Sequence, residues 1–177
     1  MSFPPFPSFP KIPRLQKDCT ITEKIDGANC LIHITAYGDM YVGSRTVWLT
    51  ESSDNFGFHR WATGNKDELL KLGEGIHRGE WWGSGIRRGY GLSKGEKRFS
   101  LFNVNIWNEE NKPACCHVVP TLYTGVFITG VVEDHMDYLQ KYGSLASPGF
   151  MRPEGVMIYH HAAGHYFKAP FDKNHKG

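Results

Sequence analysis

Seven consecutive residues, Glu23-Lys24-Ile25-Asp26-Gly27-Ala28-Asn29, bring a lysine, two carboxylates, a glycine and an amide together. A strand-like run, Cys19-Thr20-Ile21-Thr22, precedes them, and another, Cys30-Leu31-Ile32-His33-Ile34, follows. Two readings fit. In the first, Asp26-Gly27 closes a hairpin and Lys24 is a solvated charge, since Asp-Gly is a common turn dipeptide. In the second, Lys24 is a nucleophile whose amine is held near a phosphate. A plain turn requires the Asp-Gly but not the lysine. The second reading carries a chemical demand. A free lysine titrates near about 10.4, so only about one in a thousand is neutral at pH 7. Burial or a nearby cation must favour the neutral amine before it can attack phosphorus.

Five further stretches follow in order: Gly43-Ser44-Arg45-Thr46, Glu80-Trp81-Trp82-Gly83, Phe99-Ser100-Leu101-Phe102-Asn103-Val104, Glu154-Gly155-Val156-Met157-Ile158 and Phe167-Lys168-Ala169-Pro170. With Lys24-x-Asp26-Gly27 they resemble the six motifs of the covalent nucleotidyltransferase superfamily of RNA ligases, DNA ligases and capping enzymes. Each alone is a weak signal; six in the family's order, spanning residues 24 to 168, are a specific one. Asn29, five residues after the lysine, is similar to the RNA ligase 2 branch.

The resemblance implies an ATP-dependent polynucleotide ligase, for RNA before DNA. Lys24 attacks the α-phosphorus of ATP, pyrophosphate leaves, and AMP stays on the lysine. AMP then passes to a 5′-phosphate end, and a 3′-hydroxyl displaces it to seal the strand. By the same resemblance Lys24, Asp26 and Lys168 are catalytic, and Lys168 stabilises charge on the α-phosphate. The nucleotide is held by Glu23, Asn29, Arg45, Glu80, Phe102, Glu154 and the two lysines. Phe102 stacks on the purine, Glu80 accepts from a ribose hydroxyl, and the Arg45 fork suits phosphate or sugar. The cofactors are ATP and Mg²⁺, or Mn²⁺, with Glu154 and Asp26 on the metal side. The pattern is broken at Pro170, where the family's final element has a second lysine, and at Asn103, where many relatives carry Asp. Lys173 or an arginine is the candidate substitute for the missing cation. Two other functions stay open: a nucleotide- or nucleic-acid-binding module that has lost catalysis, and an adenylyltransferase acting on another acceptor.

These side chains need elements to position them. Residues 19–49 read as a meander of strands at Thr20–Glu23, Cys30–Ala36 and Met40–Gly43, turning at Tyr37-Gly38-Asp39. Residues 53–72 read as helix in parts, with Asp54 as a cap and Gly73 as a stop. His77–Trp82 and Arg98–Trp107 read as strands, as do Tyr123–Phe127, Gly155–His160 and His165–Lys168; Val131–Tyr142 reads as a helix ended by Gly143. The implied fold is α+β: antiparallel sheets flanked by helices, an ATP-grasp-like nucleotidyltransferase domain with the nucleotide between sheets. Residues 83–98 are glycine-rich and basic. Arg87, Arg88, Lys94 and Lys97 there are candidate contacts to a nucleic-acid backbone, or simply solvated charges. No Gly-Lys-Ser/Thr helix start follows, so this is not a Walker loop.

The chain of 177 residues suits one domain at 16–177, preceded by a Pro/Phe-rich extended arm at 1–15 whose phenylalanines pack on it. A formal net charge of +2 supplies no global basic field, so any nucleic-acid contact must be local. Four cysteines without Cys-x-x-Cys spacing argue against zinc and against a disulfide framework, and so for a reducing, cytoplasmic setting. No apolar run approaches the roughly 20 residues of a membrane span. His160-His161 is expected at the surface. With nine residues after Lys168, an OB-fold or helical accessory domain is not expected here, nor is a nicotinamide-binding domain in the fifteen N-terminal residues; ATP is therefore the expected nucleotide.

Overall fold

In the computed structural model, which describes residues 3–172, the chain order is β1 (Asp18–Lys24), β2 (Ala28–Ile34), β3 (Met40–Ser44), α1 (Phe58–Gly64), α2 (Lys66–Leu69), β4 (Gly75–Gly83), β5 (Lys97–Leu101), β6 (His117–Val118), β7 (Thr121–Val126), α3 (Thr129–Tyr142), β8 (Gly155–His160) and β9 (His165–Pro170). These form two sheets, ordered β7-β1-β8-β9 and β3-β2-β4-β5-β6, with every pair antiparallel except β5–β6. The fold class is α+β, as the sequence implies.

Each sheet has one face covered by helix. In the first, Cys19, Ile21, Val156 and Ile158 pack on Val131 and Leu139 of α3. In the second, Cys30, Ile32, Ile34, Trp81, Phe99 and Leu101 pack on Phe58 and Ala62 of α1 and Leu69 of α2. Period-two alternation explains this division: odd residues of β1 and even residues of β2 point into the two cores. The opposite faces carry Thr22 and Lys24 on one sheet, and Asn29, Glu80 and Arg78 on the other. A third cluster, Ile25, Trp82, Tyr90 and Val119, packs near the crossing from β1 to β2.

The expected meander is wrong at its first step. β2 and β3 are a hairpin, but β1 pairs with β7 and β8 and shares no ladder with β2. The Asp26 and Gly27 N–H groups donate to the Tyr90 hydroxyl and to Glu80, not across a turn. Gly27 is required because a Cβ there would strike the Trp81 carbonyl and approach the Trp82 Cβ at 2.8 Å. Asp26-Gly27 is thus a crossover between sheets. The β1–β7 ladder also slips between Ile21 and Thr22, a bulge one turn of pleat before the lysine.

Other elements differ in extent. The strand expected to run to Trp107 stops at Leu101, where Phe102 N–H donates to Arg78 O and the chain turns through 103–107. Gly57, not Asp54, occupies the N-cap of α1, but the Asp54 Oδ1 still accepts from Arg60 N–H in its first turn at 3.0 Å. Residues 3–14 have no regular structure, and Phe3, Phe6 and Phe9 are 97%, 85% and 92% exposed. The phenylalanines therefore do not pack on the domain: prolines between them supply no donors to a sheet edge. His160 is buried rather than at the surface. Its Nδ1 accepts from Ala163 N–H and its Nε2 meets Leu15 O at 2.7 Å, fixing the point where the arm joins.

Candidate active site

Lys24 ends β1, in register with Gly155 at the start of β8. That register brings Glu154, the preceding residue, to the lysine: Nζ and Oε2 are 2.6 Å apart. Glu154 is buried while Lys24 keeps partial access to solvent. Gly155 has φ +144°, and a Cβ there would strike the Ala169 carbonyl and lie 2.7 Å from the Pro170 Cα. The glycine lets β8 begin tightly against β9 beside the carboxylate.

Across the crossover, Glu80 on β4 clasps the loop. Its Oε1 accepts from Gly27 N–H at 2.9 Å and its Oε2 from Asn29 Nδ2 at 2.7 Å. Burial pushes the Glu80 carboxyl up to about 7, against the opposing pull of Asn29, Lys24 and the Gly27 N–H. Asn29 is in register with Glu80 on the adjacent strand, so the pair follows from sheet pairing. Asn29, Cys30, Leu31, Ser44, Arg45, Arg78 and Phe102 line a cleft of about 160 Å³. Arg45 and Phe102 therefore share one cleft with Asn29. A larger cavity, about 490 Å³, opens beside Trp82, His117 and Pro120, and neither Lys24 nor Glu154 lines it.

Lys168 lies on β9 in register with Met157, and Met157 with Thr22. Directly paired residues share a face, so Lys168 stands on the Lys24 side of the sheet, one pleat along. Pro170 pairs with Gly155 and so occupies the row of Lys24 itself. β9 is an edge strand, where proline is tolerated. Lys173, the suggested replacement cation, lies outside the described residues.

Four candidates are placed differently from their expected roles. Glu23 points to the opposite face from Lys24, and its Oε2 accepts from Leu145 and Ala146 N–H at 2.8 and 3.0 Å. Burial raises its carboxyl, and Oε1 is the one buried side-chain polar atom without a partner among the described residues. Asp26 is engaged by Arg88, with Nε 2.9 Å from Oδ2, and Arg88 also pairs with Asp172 at 2.7 Å. Asp26 is thus turned to a guanidinium rather than to a metal position, and Arg88 is a brace rather than a free basic contact. Lys97 Nζ likewise donates to Phe56 O at 2.8 Å. Arg87 and Lys94 are exposed.

Two residues were missed from sequence. Tyr90 is fully buried, accepts from Asp26 N–H at 2.9 Å, and has burial raising its phenol. Its only signal was an aromatic between two glycines in an otherwise polar loop. Arg78 precedes Glu80 by one strand period and so shares its face; that alternation was the available clue.

Among the described residues no three His, Cys, Asp or Glu side chains converge as a metal cage. A Mg²⁺ carried by phosphates needs only one or two carboxylates. Glu154, beside Lys24, fits that limited demand.

Two sheets with a lysine, a buried glutamate and a clasped crossover between them define a nucleotidyltransferase-type ligase domain. The RNA ligase family model matches residues 17–169, and the chain belongs to that family. Solved structures of Naegleria gruberi RNA ligase variants are similar in fold. One with AMP and Mn is 20% identical with a TM-score of 0.61, covering 95% of this chain and 57% of that one. Another with ATP and Mn is 18% identical with a TM-score of 0.60 and the same coverage. A Naegleria gruberi RNA ligase structure with PPi is 20% identical, with a TM-score of 0.60. This chain thus spans just over half the length of those ligases. A search of curated proteins gives no match.

Proposed function

We propose that this protein is an ATP-dependent polynucleotide ligase, acting on RNA ends, that works through a lysyl-AMP intermediate. The observation that carries the reading is the 2.6 Å pair between Lys24 and the buried Glu154, formed across 130 residues of sequence. Lys24 gives up a proton, with Glu154 as the nearest acceptor, and its nitrogen attacks the α-phosphorus of ATP. The N–P bond forms as the bond to pyrophosphate breaks. Lys168, one pleat along on the same face, offsets charge on the α-phosphate. Phe102 and Arg45, on the cleft beside Asn29, take the base and the sugar or phosphate. Glu80 holds the crossover in place and presents its carboxylate to the ribose. Glu154 would be the side chain to hold a divalent ion, which when bound would neutralise charge on the phosphates. AMP then passes to a 5′-phosphate, and a 3′-hydroxyl displaces it.

Asn29 and the RNA ligases with AMP, ATP, Mn or PPi support RNA as substrate. Pro170 in the Lys24 row favours a second reading, a nucleotide-binding module without catalysis. Incubation with α-labelled ATP and Mg²⁺ separates them. The ligase reading expects covalent label on the wild type and none on Lys24→Ala. Label persisting on Lys24→Ala would remove the lysine from its role, and no label on either would favour the binding module. Failure to seal nicked RNA, DNA or hybrid duplexes despite self-labelling would point to another acceptor.

A further inference from the structure

Beyond the cleft, the helix-free face of the second sheet continues along β2, β3 and β4. Register places Leu31 beside Arg78 and Gly43, and His33 beside Ile76 and Tyr41. These pairs lie on the same face as Asn29 and Glu80, one and two pleats away. From Glu80 to Ile76 the face runs about 13 Å. Trp48 lies over it. A Cβ at Gly43 would sit 3.3 Å from the Trp48 ring, so the glycine provides the seat. His33 stacks against that ring, with centroids 6.1 Å apart and planes at 21°. Tyr41 packs tilted at 6.1 Å. Yet Trp48 and Tyr41 remain 57% and 52% exposed, and Ile76 48%. Large aromatics held by neighbours but open on one side form a platform rather than a loose surface.

The charge on this face is one-signed. Arg45 and Arg78 line its inner end, and no carboxylate among the described residues pairs with either. Of the residues in register on the face, Glu80 is the one acid, and it is buried under the crossover.

We propose that this face binds a single-stranded polynucleotide segment, its bases stacked on Trp48 and Tyr41 and its phosphate backbone held by Arg78, with Arg45 left to the nucleotide at the inner end. Flat aromatics accept any unstacked base, while guanidinium forks grip the backbone. A duplex keeps its bases stacked inside and offers them no π-face. The inference rests on the ligase reading and deepens it: the strand led to Lys24 arrives unpaired.

The test uses a fluorescein-labelled single-stranded RNA oligomer, a duplex of the same sequence, and three proteins: wild type, Tyr41→Ala/Trp48→Ala, and Trp48→Phe. The double variant is expected to bind the single strand about tenfold or more weakly, with duplex binding and self-labelling by ATP unchanged. Trp48→Phe should retain affinity, while the quenching of protein fluorescence seen in wild type disappears. Equal affinity in the double variant, equal loss for duplex, or a wild type whose fluorescence the oligomer leaves unquenched would each overturn the proposal. A double variant running as monomer where wild type is a dimer, with oligomer binding intact, would assign the face to self-association and also overturn it. The ligase reading fails separately, by absence of covalent AMP, which these titrations do not measure.

Discussion

Replacing Glu80 by glutamine tests the physics of the clasp. The wild-type carboxyl titrates at about 7 instead of its ordinary 4.5, because burial penalises the charge. Between those values the folded protein holds a proton that the unfolded chain has released. Wild-type stability therefore falls as pH rises from 4.5 to 7, and stays at the lower level above it. At about 1.4 kcal/mol per pH unit, the loss is about 3 kcal/mol. Glutamine cannot titrate. It can still accept from Gly27 N–H, and a flipped Asn29 amide can meet its NH₂, so both contacts survive. Urea unfolding at intervals from pH 4.5 to 8 should give two curves that diverge by about 3 kcal/mol, with wild type losing ground as pH rises. Glu23, also raised by burial, contributes equally to both proteins and cancels in the difference. Parallel curves would refute the argument, because they would mean that Glu80 ionises in the folded state as it does in the unfolded one.

Gly27→Ala should destabilise the protein by about 1–3 kcal/mol in the same unfolding assay, since its Cβ has no room under Trp81 and Trp82. Neutralising Arg87 and Lys94 with glutamine should lower the slope of log affinity against log salt for nucleic acid by up to about 2. Arg88 and Lys97 are held within the protein, so their phosphate count is excluded. Pro170→Lys places a second cation in the Lys24 row and should speed single-turnover lysyl-AMP formation by about tenfold, worth about 1.4 kcal/mol. An unchanged rate would show that the row does not reach the phosphate.

The motifs singled out Lys24, Glu154, Asn29 and Glu80, which the fold brings together in pairs, because motif spacing survives whatever connects the motifs. The sequence also located most strands, since alternation is a local signal. It misjudged the link between β1 and β2. Asp-Gly is good turn chemistry, and nothing local reveals that its amides will be taken by Tyr90 and Glu80, more than 50 residues away. Arg88 looked like a free basic contact for the same reason: its partners, Asp26 and Asp172, are 62 and 84 residues distant. The arm's phenylalanines were expected to pack on the domain as an extended segment, but prolines deny that segment a ladder and the rings stay exposed. Tertiary partners of charged and turn residues are the information that local pattern omits.

The ladder joining Lys24 to Gly155 has a temporal consequence. β1 lies between β7 and β8, so two of its flanks are completed only by segments made a hundred residues later. A ribosome-bound chain can therefore close the β2–β3 hairpin early, while the Lys24 amine waits without its counter-ion. Premature termination anywhere before residue 154 leaves a polypeptide that has Lys24 and lacks the carboxylate that pairs with it.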